Sequence, residues 1–264
     1  MESLLLFLAT GAAAGILAGL FGVGGGLIMV PALAFLLPGL GMPHSIYMQV
    51  AIATSLAVIG VTSLSSTLSH HRRGGVAWPV FGRLAPGLAA GALLGAWLAH
   101  RLGGDALRAI VGAGALLVSV QMFFSGAPRA ETPRPLPSAA ELFGAGAVIG
   151  ALSSLVGIGG GSLSVPYLTL RGLRIQQAVG TAAACGMPIA WGGTIGFMVM
   201  GWRHEGLPDW TIGYVSLLAF AGIAAASVLT APLGAALAHK LPPAILKRAF
   251  ALLLALIGVK LLLG

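Results

Sequence analysis

Charged residues are scarce in this sequence. Only 8% of the 264 residues are charged, against about 25% in an average soluble domain, whereas 58% are hydrophobic. A soluble chain of this length needs a polar coat, which so few charged side chains cannot provide. The composition therefore excludes an ordinary soluble globular protein and favours one that has lipid as its solvent.

Cysteine is nearly absent, and carboxylates are absent from the apolar runs. The single cysteine, Cys185, excludes an internal disulfide and a cysteine-based metal site. The acidic residues fall at the chain end, in loops or at the ends of apolar runs: Glu2, Asp105, Glu131, Glu141, Glu205 and Asp209. The usual intramembrane sodium ligand or acidic proton relay is therefore missing, and no buried nucleophile–base pair is evident. We expect a protein that is not an enzyme and that needs no cofactor or metal.

Long apolar runs are what the sequence has in abundance. A helix needs about 20 apolar residues to cross the hydrocarbon core of a bilayer, and apolar runs recur along both halves of the chain. They are 3–40, 46–69, 84–100, 109–127, 142–170, 177–202, 211–238 and 249–263. Because the runs are continuously apolar and do not alternate, they predict membrane helices and not a barrel.

An internal repeat divides the chain. Three blocks of sequence recur in the same order in both halves. LFGVGGGLIMVPAL at 20–33 returns as LVGIGGGSLSVPYL at 155–168, AIAT at 51–54 as AVGT at 178–181, and GAWLAHRL at 95–102 as GAALAHKL at 234–241. We therefore predict a first membrane repeat at 1–127, a proline-rich linker at 128–138 and a second membrane repeat at 139–264.

The basic residues indicate how the repeats are oriented. The net charge is +8, and the basic residues concentrate in alternate loops if each half crosses the membrane an odd number of times. By the positive-inside rule this predicts an all-α polytopic membrane protein of two inverted-topology repeats, with Arg72, Arg129, Arg174 and Lys247 in the cytoplasm. Each repeat then holds a glycine-rich helix break or re-entrant hairpin plus about three full transmembrane helices; five full spans have the same parity and stay open.

Two glycine clusters, GVGGG at 22–26 and GIGGG at 157–161, interrupt their apolar runs. Contiguous glycines favour an unwound break, and the short segment after each cluster predicts a half-helix. Free N–H groups at the start of a half-helix favour an anion, and paired breaks in inverted repeats are typical of transporter sites. The predicted substrate-binding residues are Gly24, Gly25, Gly26, Thr54, Ser55, Gly159, Gly160, Gly161, Ser162 and Thr181.

Helix packing is the alternative role for these residues. Small residues spaced by four let helices approach closely, a pattern that accounts for Gly87, Gly91 and Gly95. The two clusters have contiguous glycines, which a packing face does not need. For Thr54 and Thr181, ordinary hydrogen bonding between helices is as good an explanation as contact with a ligand.

The doubled motif at 22–33 and 157–168, with AIATS at 51–55 and AVGTA at 178–182, resembles the sulfite exporter TauE/SafE family, also called the toluene sulfonate uptake permease group. The resemblance implies a secondary transporter or facilitator of sulfite, sulfonates or other small organosulfur anions in the cell (inner) membrane. A non-transport membrane scaffold or accessory subunit is the alternative. The expected partners are a small anionic substrate and membrane lipids; no nucleic acid is expected, and a homodimer stays open. Ala182 stands where the other half has Ser55, so the two half-sites are chemically unequal.

Overall fold

The computed structural model describes residues 2–21, 26–124, 137–202, 204–238 and 243–263. These residues form ten helices and one short hairpin, which confirms the all-α prediction. The helices are α1 Glu2–Phe21, α2 Gly26–Gly39, α3 Tyr47–Arg72, α4 Trp78–Arg101, α5 Gly104–Phe124, α6 Ala139–Val156, α7 Gly161–Leu170, α8 Ile175–Gly201, α9 Leu217–Ala238 and α10 Pro243–Leu263. The antiparallel strands β1 Thr211–Ile212 and β2 Val215–Ser216 lie between α8 and α9.

Five of the described helices, α3, α4, α5, α6 and α8, are long and apolar enough to cross a membrane. The chain is therefore a multi-pass membrane protein, as its composition predicts. By contrast, α2 has 14 residues and α7 has 10. At a rise of about 1.5 Å per residue they are about 21 and 15 Å long, shorter than the hydrocarbon core of about 30 Å. Both are half-helices, as predicted.

The second glycine cluster ends α6. Gly157 has a φ of +72°, a left-handed conformation that glycine adopts without strain. The amides of Gly157 and Ile158 both donate to the Ser153 carbonyl oxygen, which closes the last turn of α6. Gly160 then leads into α7, so the predicted break is confirmed in the second half. The linker prediction falls largely on 125–136, which lies outside the described residues.

An ion pair shows that α6 and α7 form a hairpin. Arg171, directly after α7, pairs with Glu141 in the first turn of α6, and its guanidinium also lies 5.5 Å from the centre of the Tyr167 ring. The start of α6 and the end of α7 therefore lie at the same end of the bundle. α6 is long enough to cross a membrane whereas α7 is not, so this unit is a span-length helix followed by a half-helix.

Helices of one half of the chain pack against helices of the other half. α1 packs along α9, and α4 packs along α6. Gly87 lies against Phe143 and Gly91 against Ala147, so closely that a β-carbon on either glycine would collide with the backbone of α6. The packing role predicted for these glycines is confirmed. Since contacts advance along both chains together, α4 and α6 run parallel.

The equivalent helices of the two halves pair in opposite directions. Along the contact between α3 and α8, Leu56 lies near Gly193 and Ser63 near Gly186, so these helices run antiparallel. α5 and α10 are also antiparallel, with Gly112 beside Leu262 and the Ser119 hydroxyl donating to the Ala251 carbonyl oxygen at 2.7 Å. This pairing supports the inverted relation between the repeats, which we carry forward as a proposal.

Candidate functional site

The second glycine cluster lies in the centre of the bundle, between α3 and α8. A β-carbon on Gly159 would lie 3.3 Å from Ile59, in the middle of α3. A β-carbon on Gly160 would lie 3.0 Å from both the Ala182 carbonyl oxygen and the Gly186 amide nitrogen of α8. A side chain at Gly160 would press against the backbone of α8, so close packing favours glycine there whether or not a ligand binds.

The described end of the first cluster meets the second one. A β-carbon on Gly26, the first residue of α2, would lie 2.6 Å from the Gly157 carbonyl oxygen and 3.2 Å from the Ile158 α-carbon. The structure thus brings together Gly26 and the second cluster, although they are more than a hundred residues apart in sequence. Gly24 and Gly25, also predicted as site residues, lie outside the described residues.

The start of α7 carries free hydrogen-bond donors. Its cap residue, Gly160, has no side chain to bond the first N–H groups, and the first turn holds no acidic residue. At Gly161, no described atom lies within 4 Å of the place that a β-carbon would take. The buried Ser162 hydroxyl has no hydrogen-bond partner among the described residues. This end of α7 therefore combines a helix dipole, open space and an unused hydroxyl.

Ser55 holds the break in place. Its hydroxyl is fully buried and donates to the Gly157 carbonyl oxygen at 3.1 Å. Ala182, at the matching position of α8, cannot make such a bond. The chemical inequality of the half-sites thus has a structural role, because the Ser55 hydroxyl ties the second cluster to α3.

The two repeated threonines connect the halves. The Thr181 hydroxyl oxygen accepts from the Ala77 amide at 2.9 Å, at the start of α4, and the Thr54 hydroxyl oxygen accepts from the Ser216 amide at 3.0 Å, just before α9. Both threonines are fully buried. Each satisfies an N–H group that lacks an intrahelical partner. Contact of either threonine with a substrate stays a prediction, whereas their bonds between helices are observed.

The space around the site differs between its two sides. Beside Gly26, Val30 and Ile158 the walls are apolar and leave no room for a water molecule. Along the second half of α3, an open groove of about 510 Å³ is lined by Thr67, His71 and other residues of α3, α4 and α8. Sequence reasoning did not select the groove residues, although the hydroxyl-rich segment TSLSSTLS at 62–69 was a visible signal.

Comparison with known proteins decides the family. The model of the sulfite exporter TauE/SafE family matches residues 7–261. This chain belongs to the sulfite exporter TauE/SafE family. The chain is 38% identical to a probable membrane transporter protein of Haemophilus influenzae over 260 residues, which cover 98% of each chain.

More distant relatives of the TauE/SafE protein carry the same description. Probable membrane transporter proteins of Bacillus subtilis and Methanocaldococcus jannaschii are 27% and 26% identical to it, over 94% and 98% of this chain and 96% and 95% of their own. No solved structure matches the chain. The family recognised from the glycine–proline motifs is thus confirmed, and membership supports a membrane transporter as the class of protein.

Proposed function

We propose that this protein is a secondary transporter or facilitator that carries small sulfur oxyanions, sulfite or organosulfonates, across the cell (inner) membrane. The observation that carries the proposal is the start of α7, where an uncapped helix N-terminus, open space beside Gly161 and the free Ser162 hydroxyl lie together next to the buried break at 157–160. Anions bind at helix N-termini because the backbone N–H groups point at them and the dipole favours negative charge.

The strength expected of such a site suits transport. A helix N-terminus contributes about 0.3–1 kcal/mol to anion binding when exposed and up to about 2 kcal/mol when partly buried. Each hydrogen bond to a charged group adds about 1.5–3 kcal/mol. Two backbone donors with the Ser162 hydroxyl offset part of the cost of removing a small anion from water. An anion held this moderately can also leave on the other side.

The first glycine cluster completes the proposed site. By the sequence repeat, Gly24, Gly25 and Gly26 occupy the place in the first half that Gly159, Gly160 and Gly161 occupy in the second. The contact of Gly26 with Gly157 and Ile158 supports a site shared between the two breaks. Leu27 stands where the second half has Ser162, so the hydroxyl donor comes from α7 alone.

Transport by purified protein tests the proposal. Proteoliposomes should accumulate at least one of radiolabelled sulfite, thiosulfate, sulfate or an alkylsulfonate with saturable kinetics. The S162A variant should lose affinity, because a donor to the anion is removed. T169V is the matched control, since the Thr169 hydroxyl, at the other end of α7, donates to carbonyl oxygens of its own helix. Absence of transport for the whole panel by correctly inserted protein would favour the scaffold alternative.

A further inference from the structure

The second half of α3 is unusually rich in hydroxyl groups for a membrane helix. Between residues 61 and 72 it carries Thr62, Ser63, Ser65, Ser66, Thr67 and Ser69, followed by His70 and His71. Ser65, Ser66 and Ser69 are exposed. Polar residues within membrane segments face the bundle interior or a water-filled cavity because they are costly in lipid. Those of these hydroxyl groups that border a groove are therefore expected to meet water.

The groove of about 510 Å³ is lined by Ser65, Thr67 and His71 among the apolar side chains of Val61, Leu64, Leu68, Trp78 and Met187. Its outer end lies at His71 and Trp78, beside the exposed Arg72 and Arg73. The Trp78 ring N–H donates a hydrogen bond of 3.1 Å to Nδ1 of His71. At about 30 Å³ per water molecule, the groove has room for about 17 waters or for a hydrated small anion. Arginines at its outer end attract anions over a distance of about 8 Å at physiological ionic strength.

The inner end of the groove approaches the start of α7. Met187 lines the groove, and the preceding residue, Gly186, lies against Ser63 of α3. The place that a β-carbon on Gly186 would take is 3.9 Å from both the Ser63 hydroxyl oxygen and the Gly160 amide nitrogen. Ser63, Thr67 and His71 follow one another at intervals of four on α3, which puts them on one face of the helix. Ser63, Thr67 and His71 thus place polar groups at successive turns of α3 between the outer end of the groove and Gly160.

A matching position on α8 is closed. Thr67 and Thr194 each stand thirteen residues after the repeated threonines Thr54 and Thr181, and neither hydroxyl has a hydrogen-bond partner among the described residues. Thr67, 5% exposed, lines the open groove, whereas Thr194, 2% exposed, lies on the part of α8 that α4 covers. There Gly196 packs against Leu93 and Ala96 of α4. Both hydroxyl groups are buried, but one related position lies in the wall of the groove and the other beneath α4.

We propose that the groove along α3 is the cytoplasmic access site for the anion, and that Thr67 donates a hydrogen bond to the anion on its way to α7. Thr194 occupies the corresponding position on the opposite route, which α4 closes in this conformation. This inference rests on the proposed function, because it names the route that leads to the α7 site. Its ligand class is a small oxyanion, hydrated in the outer part of the groove.

Cysteine reactivity tests the route without requiring a known substrate. T67C and T194C are made in a C185A background, since Cys185 is the only native cysteine and is buried. Inside-out vesicles are treated with anionic (ethylsulfonate) or cationic (trimethylammonium) methanethiosulfonate reagents. T67C should react at least 10-fold faster than T194C. Its ratio of anionic to cationic rates should exceed that of A139C, because Ala139 is exposed at the start of α6 and is expected on the same side of the membrane.

A lipid-facing control separates water from acyl chains in the groove. Leu117 is 66% exposed on α5, and L117C should react slowly with both reagents because thiolates do not form in lipid. Reactivity of T67C as low as that of L117C would overturn the proposal, as would equal reactivity of T67C and T194C or a preference of T67C for the cation. Failure of the transport panel with anion-selective T67C labelling would refute the substrate class alone.

Transport kinetics test the hydroxyl itself. T67V keeps the shape of the side chain and removes the donor, so KM for the transported anion should rise about 10-fold or more, the effect of losing about 1.5 kcal/mol from a hydrogen bond to a charged group. T67S should restore the wild-type KM. An unchanged KM in T67V, with the protein correctly inserted, would show that Thr67 does not bind the anion.

Discussion

A single added methyl group at the start of α7 separates a binding role of the glycines from a packing role. Gly161 has a backbone that alanine can adopt and no described atom within 4 Å of its β-position. G161A should therefore fold and gain about 0.4–1 kcal/mol of stability, because alanine restricts the unfolded chain more than glycine does. In contrast, G91A forces a methyl group into the Ala147 backbone and should lose about 1–3 kcal/mol.

The effect of G161A on transport should be opposite to its effect on stability. Its methyl group occupies the space through which an anion reaches the first N–H groups of α7. Loss of one hydrogen bond to a charged ligand costs about 1.5–3 kcal/mol, which at about 1.4 kcal/mol per factor of ten is about a 10- to 100-fold weaker affinity. G91A should keep its substrate affinity in the fraction that folds.

Two measurements on the same preparations decide the matter. Thermal unfolding in detergent gives the order of stability, and uptake into proteoliposomes gives KM for each variant. G144A is the matched control, because Gly144 is an exposed helical glycine of α6 that also has no described atom within 4 Å of its β-position. It should gain stability without losing transport. A stable G161A with wild-type KM would refute the α7 site and leave helix packing as the role of the glycine cluster at 157–161.

Three further outcomes follow from the fold. Cysteines at Ser69 and Ala139 should be labelled from the cytoplasm and one at Asp105 from outside; labelling of Ser69 and Ala139 from opposite sides would refute the inverted topology. T181V should lose about 1 kcal/mol of stability, since it leaves a helix-start amide without its acceptor, and unchanged unfolding would argue that the bond contributes nothing. Burial raises the pKa of Tyr214 to about 12 from 10.0, so stability present below pH 10 should fall as the pH rises towards 12. Y214F should flatten that decline in a pH series of unfolding curves.

The helix breaks could be predicted from the sequence because their cause is local. Three contiguous glycines weaken a helix wherever they occur. The left-handed conformation of Gly157 likewise follows from its own lack of a side chain and needs no distant contact to explain it. The packing glycines Gly87 and Gly91 were predictable for the same reason, since their spacing of four is itself the signal. Composition likewise decided the membrane environment without reference to any contact.

The partners of the polar groups could not be predicted. Thr181 bonds an amide 104 residues away, and Thr54 bonds one 162 residues away. A hydroxyl in an apolar run has the same sequence signature whether it bonds a ligand or a distant backbone group. The groove residue Thr67 was missed because its exposure depends on which helices cover α3. The packing of helices from different halves of the chain decides which helices do so.

The packing of helices from different halves has a consequence for biogenesis. α1 packs against α9, and Gly11 lies beside Ile223, about 210 residues later in the chain. At about 5–20 residues per second of synthesis, α1 is made roughly 10–40 seconds before its partner. During that interval the face of α1 that carries Gly11 and Gly15 lies against lipid or an insertion factor. The nascent first half therefore lacks part of its native helix packing, and quality control in the membrane must tolerate it until the last helices emerge.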